Sequence, residues 1–223
     1  HIDPTEQLKA YEFQNPCWYF GHAVVSKSMN ILNNSIYGFK ELAGSKIYLL
    51  PHQVNTIMRC LQEEPCRYML ADEVGMGKTV EAISVLKIYM RNRTGIQAAI
   101  FVPDQLVEQW KKELLLKFNI PSSVSKDGNI VYVKPISDIS LADGLIDWDF
   151  VIIDEVHRFL SERKTYSYFF QISKKAKNLL LLSATPVQQR KEEYLSLLCL
   201  LQPTKYANYS EEQFATLIKK QSK

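Results

Sequence analysis

Cysteine is scarce in this chain, and the four that occur are poorly spaced for chemistry. Cys17, Cys60, Cys66 and Cys199 form no Cys-x-x-Cys pair, and no histidine stands at ligand spacing from a pair. That argues against a zinc site and a disulfide framework, and a reduced, cytoplasmic compartment fits best. Long apolar runs are missing too. None reaches the ~18 residues of a membrane span, and no signal peptide is visible, so no membrane partner is expected. A fixed internal repeat and a low-complexity linker are also absent, which removes solenoids and flexible tethers. Charge of one sign is nearly lacking in the sum. With 27 basic and 24 acidic residues the net charge is +3, too small to require a nucleic-acid partner, although local clusters are hidden in it.

What remains is ordinary globular material. The 223 residues are 46% hydrophobic and 23% charged, enough for one large domain or two small ones with a real core. The chain opens at His1 rather than Met, so it reads as a piece of something longer.

The organising stretch is Ala71-Asp72-Glu73-Val74-Gly75-Met76-Gly77-Lys78-Thr79. A short apolar run, residues 67–70, precedes it and reads as a strand. A helical pattern over 80–90 comes next, with Ile83, Leu86 and Met90 on one face. Strand, Gly-rich turn, Gly-Lys-Thr and helix together are the setting of a phosphate-binding loop. Gly75 and Gly77 permit a tight turn with inward N–H groups. The helix start adds its unpaired N–H groups and positive dipole end. Lys78 offers a cation to the β- and γ-phosphates, and the Thr79 hydroxyl can ligate Mg²⁺. The general pattern has Gly where this chain has Asp72, so an ordinary strand-to-helix turn is the competing reading.

Residues 1–46 are the least readable. Tyr11, Phe13, Trp18, Tyr19 and Phe20 crowd around Pro16. Aromatic clusters are usually buried, so a strap packed on the domain is the preferred reading over an extra partner surface. After residues 47–50 a helix runs to about Leu61, with Pro51 suited to its first turn. The Gln53 amide, near that start, can donate and accept at once, which matches an adenine edge. A solvated glutamine is the plainer reading.

Residues 98–102 predict a second strand, ended by Pro103-Asp104. A helix then runs to about Phe118, with Leu106, Trp110, Leu114 and Phe118 as its apolar stripe and Asp104 as its N-cap candidate. Residues 131–133 predict a third strand. The fully apolar run 150–153 reads as a buried parallel strand that ends in Asp154, Glu155 and His157. At a strand's C-terminal end Asp154 is placed to hold Mg²⁺ and Glu155 to orient or deprotonate water. A solvated loop start is the alternative. Residues 178–182 form another apolar run that leads into Ser183-Ala184-Thr185-Pro186-Val187-Gln188-Gln189, either a capped turn or a sensor of nucleotide state. Beyond it lies a helix with Leu195, Leu198 and Leu201 along one side, and Ser210-Glu211-Glu212-Gln213 reads as a capping box. Strand and helix alternate throughout, which predicts an α/β fold with a parallel sheet and helices on both faces.

In order, these segments resemble the first RecA-like lobe of a superfamily 2 helicase-type ATPase, a P-loop NTPase, specifically of the Swi/Snf-type translocases. Leu50-Pro51-His52-Gln53 resembles the family's adenine-reading segment. Residues 71–79 resemble its phosphate loop, where Asp is usual at the place of Asp72. Residues 102–110, Val-Pro-Asp-Gln-Leu-Val-Glu-Gln-Trp, resemble the segment that grips a nucleic-acid backbone. Asp154-Glu155-Val156-His157 resembles the Mg²⁺ and water box, with Val156 where Ala is usual. Residues 181–188 resemble the coupling segment. Its Ala184-Thr185-Pro186 is similar to bacterial members, including the ATPase that recycles RNA polymerase, where chromatin remodellers tend to have Gly-Thr-Pro.

The resemblance implies a lobe over 47–203, an N-terminal extension over 1–46 packed on it, and a helical segment over 204–223. That segment leads to a second RecA-like lobe, which the 20 residues after Pro203 cannot encode. It implies ATP and Mg²⁺ as cofactors and double-stranded DNA as partner, with RNA polymerase as a possible protein partner and a bacterial nucleoid as location. ATP would be held by Gln53, Asp72, Glu73, Val74, Gly75, Met76, Gly77, Lys78 and Thr79. Lys78, Asp154 and Glu155 would be catalytic, and Thr79 and Asp154 would hold Mg²⁺. His157, Ser183, Ala184 and Thr185 would couple the lobes. Pro103, Asp104, Gln105 and Gln109 would meet nucleic acid. The basic runs Lys111-Lys112, Arg158-Arg163-Lys164 and Lys174-Lys175-Lys177 are solvated faces first and DNA contacts second. An RNA helicase, a restriction-system motor and a non-catalytic scaffold lobe are the alternatives.

Overall fold

The computed structural model describes residues 24–25, 38–42, 44–71, 75–91, 93–121, 124–125, 127–184 and 191–206. The aromatic segment 11–20, the capping box 210–213, Cys17, Asp72, Glu73, Val74 and residues 185–189 lie outside them.

Helix α1 (Pro51–Gln62) opens the lobe with Pro51 in its first turn, where a missing N–H costs nothing. Strand β1 (Arg67–Leu70) leads through the Gly75–Gly77 turn into α2 (Lys78–Tyr89). Strand β2 (Gln97–Val102) and α3 (Val107–Phe118) come next, then β3 (Ile130–Pro135), β4 (Phe150–Ile153), α4 (Arg163–Lys175), β5 (Asn178–Leu182), α5 (Lys191–Leu201) and the short α6 (Pro203–Tyr206). The five described strands form one sheet in the order β1-β5-β4-β2-β3. Every pairing is parallel, with Met69 beside Leu181, Ile153 beside Leu181, and Ile100 between Ile152 and Val133.

Side chains alternate across a strand, and here both alternating sets are apolar. Ala98, Ile100 and Val102 join Ile152, Leu180 and Leu182 on one face, under Ile57, Ile83, Leu86, Trp110, Leu114 and Phe118 of α1, α2 and α3. Ala99 and Phe101 join Val151, Ile153, Leu179 and Leu181 on the other, under Phe169, Ile172, Leu197 and Leu200 of α4 and α5. Helices therefore cover both faces, as the alternation of segments predicts. Phe39 and Leu42 extend the first cluster from a 3-10 turn against α2. Cys60 and Cys66 are buried free thiols, and their mutual contact and burial push the Cys66 thiol up.

Three local expectations need correction. Asp104 does not cap α3 through its side chain. A 3-10 turn (Asp104–Leu106) intervenes, and the Asp104 carboxylate accepts from the Ser137 N–H instead. The buried face of α5 centres on Leu197 and Leu200, while Leu195, Leu198 and Leu201 are half-buried, with Leu201 packed against the same cluster. The alternation of strand and helix also lapses between β3 and β4, which are joined by two 3-10 turns (Ile136–Asp138 and Asp143–Leu145). Lys134 and the buried Asp143 form an ion pair there, and the indole N–H of buried Trp148 donates to the Asp143 carbonyl at 3.0 Å, so this connection is anchored without a helix.

Candidate active site

In an open parallel sheet the strands' C-terminal ends gather at one edge, where their loops can meet. The Gly75–Gly77 turn lies between β1 and α2 at that edge, the 103–105 turn leaves β2, Asp154 and Glu155 leave β4, and Ser183 leaves β5. Backbone hydrogen bonds hold the set in register. The Asp154 N–H donates to the Phe101 carbonyl at 2.8 Å, and the Ser183 N–H donates to the Leu70 carbonyl at 3.0 Å.

Gly75 and Gly77 both take left-handed backbone, with φ of 88° and 91°. Lys78 and Thr79 then begin α2, half-buried, where the first-turn N–H groups are unpaired by the helix itself. Gln53 closes on this turn from α1. It is 5% exposed, not solvated. Its Oε1 accepts from the Leu50 N–H at 2.9 Å, and its Nε2 donates to the Met76 carbonyl at 3.0 Å. The amide keeps one N–H and one lone pair beyond these bonds.

Gly77 is what permits the approach. A Cβ there would stand 2.1 Å from Gln53 Nε2, on a backbone that L side chains rarely adopt. Gly77→Ala is expected to displace Gln53 and cost about 1–3 kcal/mol, read as a lower melting temperature. The cost should shrink in a Gln53→Ala background, because the clash is gone and only backbone strain remains. Equal costs in both backgrounds would refute the contact.

Asp154 is 8% exposed, and each oxygen has a donor among the described residues. Oδ2 accepts from the Trp110 indole N–H at 3.0 Å, and Oδ1 accepts from the Glu155 N–H at 2.9 Å. Burial pushes its carboxyl above the ordinary pKa, while these bonds and the nearby Lys78 charge pull it back. Glu155 is one of two described non-glycine residues with positive φ, at 51°. Its Oε2 lies 3.3 Å from His157 Nδ1, which is also 3.3 Å from the Ser183 hydroxyl. One ring nitrogen thus joins the β4 and β5 loops.

The structure therefore brings Gln53, Met76, Gly77, Lys78, Asp154, Glu155, His157 and Ser183 to one edge, with Gly75 and Thr79 on the same turn. Thr185, like Asp72, Glu73 and Val74, lies outside the described residues. Pro103 is buried beside the site, while Asp104, Gln105 and Gln109 are exposed, and Gln109 donates to Glu113 at 3.2 Å. Lys175 and Lys177 are not part of this edge. They precede β5 at its N-terminal end and pair with Asp147 and Asp149. Lys111 pairs with Glu108. Trp110 is the residue that sequence reasoning missed as a site component. It reads as one more apolar position of the α3 stripe, and only the need of a buried indole N–H for an acceptor points further.

The chain matches the SNF2-related domain family over residues 51–126 and 130–223. It is 39% identical over 181 residues to the uncharacterized ATP-dependent helicase YqhH of Bacillus subtilis, covering 74% of this chain and 32% of that protein. It is 30% identical over 201 residues to the RNA polymerase-associated protein RapA of Actinobacillus pleuropneumoniae, covering 76% of this chain and 21% of RapA. The chain thus spans a third or less of these relatives. Among solved structures, the Sulfolobus solfataricus SWI2/SNF2 ATPase core in complex with dsDNA aligns with a TM-score of 0.64 at 20% identity, over 79% of this chain and 41% of that one. The Pyrococcus furiosus Hef helicase domain aligns at 0.54 and 21%, over 67% and 35%. At such identities the structures speak to the fold alone, a RecA-like helicase core.

Proposed function

Because the chain belongs to the SNF2-related domain family, we propose that it is the ATP-binding lobe of a double-stranded-DNA-dependent ATPase and translocase. The observation that carries this reading is the convergence of Lys78 with the Asp154-Glu155 pair at the C-terminal strand edge. Residues 47–203 would be the lobe, 1–46 an N-terminal extension whose described residues Phe39 and Leu42 are buried against it, and 204–223 a segment leading toward a second lobe.

The residues present fit Mg²⁺ and ATP. Asp154 and Thr79 offer hard oxygen donors, which suit Mg²⁺ beside phosphate oxygens, and Gly75 and Gly77 hold the turn in left-handed backbone just before the α2 N–H groups. Lys78 and the α2 N-terminus would hold the phosphates. Asp72, Glu73, Val74, Gly75 and Met76 would complete the loop around them, and Gln53 would meet the adenine with its remaining N–H and lone pair. Bound Mg²⁺ would offset charge on the phosphate oxygens. Glu155 would orient the attacking water and accept its proton as the γ-phosphoryl group leaves ADP. His157, Ser183, Ala184 and Thr185 would report the state of that site to the second lobe.

Duplex DNA would meet backbone N–H groups and side chains around Pro103, Asp104, Gln105 and Gln109. Such contacts should weaken with salt. RNA polymerase is the candidate protein partner, by analogy with the RNA polymerase-associated relative RapA. The test is ATP turnover by the full-length protein without nucleic acid and with duplex DNA, single-stranded DNA or RNA, using Lys78→Ala as the blank. Strong stimulation by duplex DNA alone is expected. Stimulation by RNA, or by none of the three nucleic acids, would overturn the DNA-translocase reading.

A further inference from the structure

We propose that Trp110 is a positioning residue that fixes the Asp154 carboxylate and ties it to α3, the helix just beyond the 103–105 turn. The proposal rests on the reading of Asp154 as the Mg²⁺-holding residue. Its observation is the 3.0 Å hydrogen bond from Trp110 Nε1 to Asp154 Oδ2, with both groups buried.

The two described buried tryptophans differ in what they do with the indole N–H. Trp148 spends its own on the Asp143 backbone carbonyl, the ordinary way to satisfy a core donor. Trp110 aims at an ionisable side chain at the mouth of the sheet. With Glu155 N–H on Oδ1 and Trp110 on Oδ2, the carboxylate is held at both oxygens, and each keeps a lone pair for a ligand. Held carboxylates bind metals better than mobile ones, because the orienting cost is met before binding. The ring cannot move alone. Trp110 packs in the α3 stripe with Leu114 and Phe118, in the same core as Val102 and Ile152. A shift of α3 therefore moves the N–H relative to Asp154. The proposed DNA-contacting turn and the metal-holding carboxylate are thus linked by four residues of helix, Val107 to Trp110, and one hydrogen bond.

The test uses the full-length protein, and the probe is Mn²⁺ followed by electron paramagnetic resonance with a non-hydrolysable ATP analogue. Trp110→Phe removes the donor and keeps an aromatic ring. It is expected to weaken Mn²⁺ binding roughly 10- to 100-fold, with nucleotide affinity in EDTA unchanged. In an Asp154→Asn background it should add no further loss. Incorporation of 3-benzothienylalanine, which puts sulfur in place of the N–H at nearly the same volume, should reproduce the loss if Trp110→Phe folds poorly. Trp148→Phe is the control and should lower the melting temperature without touching Mn²⁺ affinity. Unchanged Mn²⁺ affinity in the Trp110 variants would overturn the proposal, as would an equal loss of metal-free nucleotide binding, which marks a structural role. A wild-type protein that binds nucleotide but no metal would instead sink the reading of Asp154 on which the proposal stands.

Discussion

Glu155→Gln is expected to lower kcat by about 10²–10⁴-fold while leaving the affinity for Mg²⁺–ATP within a few-fold of wild type. The reason is the division of labour at the end of β4. Asp154 is buried and spends both oxygens on fixed donors, so it is built to hold something. Glu155 is one residue further out, more exposed, and turned by a left-handed backbone with φ of 51°. A non-glycine residue held there stores strain of about 1–3 kcal/mol, which persists when the surroundings over-determine it. Here the Asp154 carboxylate takes the Glu155 N–H, and His157 stands 3.3 Å from its carboxylate. Glutamine keeps shape and can still bond to the imidazole, but it cannot accept a proton from water. A drop in kcat at constant affinity therefore isolates chemistry from binding. Lys78→Ala should do the opposite and lose binding as well. If Glu155→Gln turns over at the wild-type rate, the base is another residue and Glu155 has no part in the chemistry.

Much of this site is legible in the sequence because its parts sit directly at strand ends. A run such as residues 150–153 can only be buried, and topology sets the residues just beyond a buried parallel strand at the ligand edge. The same logic locates Gly77-Lys78-Thr79 after β1 and Ser183 after β5. Contacts made across the fold are not legible. Gln53 and Met76 are 23 residues apart, and Trp110 and Asp154 are 44 apart. Periodicity places Trp110 on a core-facing stripe and cannot see the one polar atom on its ring. Asp104 shows the converse error. Its type and position suit a cap, but the 3-10 turn after Pro103 moves the true helix start to Val107, and the carboxylate finds Ser137 instead. For α5, the spacing Leu195, Leu198, Leu201 and the spacing Leu197, Leu200 are both helical, and only the packing with Phe169 and Ile172 shows that the second is fully buried and the first half-buried.

Arg67→Met is expected to lower stability by about 3–4 kcal/mol, a fall of roughly 6–16 °C in melting temperature for a domain of this size. Arg67 opens β1 at the edge opposite the site, and its guanidinium has no carboxylate partner among the described residues. It donates instead to carbonyls at the C-terminal ends of two helices. Nε reaches Leu201 and Nη1 reaches Ala176, each at 2.6 Å, and Nη2 reaches Ser173 and Leu200 at 2.9 and 3.0 Å. These carbonyls have no intrahelical donor and carry the negative ends of the α4 and α5 dipoles, so one planar cation answers both helices at once. Burial lowers the Arg67 pKa, but a guanidinium stays protonated at neutral pH. Methionine fills the volume of the stem and removes the donor from the Leu201, Ala176 and Ser173 carbonyls, while the Leu200 carbonyl keeps the Ser173 hydroxyl. Lysine, with one compact charge, should recover less than half of the loss. A fall under about 2 °C for Arg67→Met would mean that water satisfies the helix ends and that the network contributes little. Nucleotide affinity measured well below the melting point should stay unchanged, because β1 carries its structural anchor at one end and the Gly75–Gly77 turn, the proposed phosphate site, lies beyond the other. A fall in affinity without a fall in stability would show that the Arg67 end of the strand moves the turn, and that the two edges of the sheet are not independent.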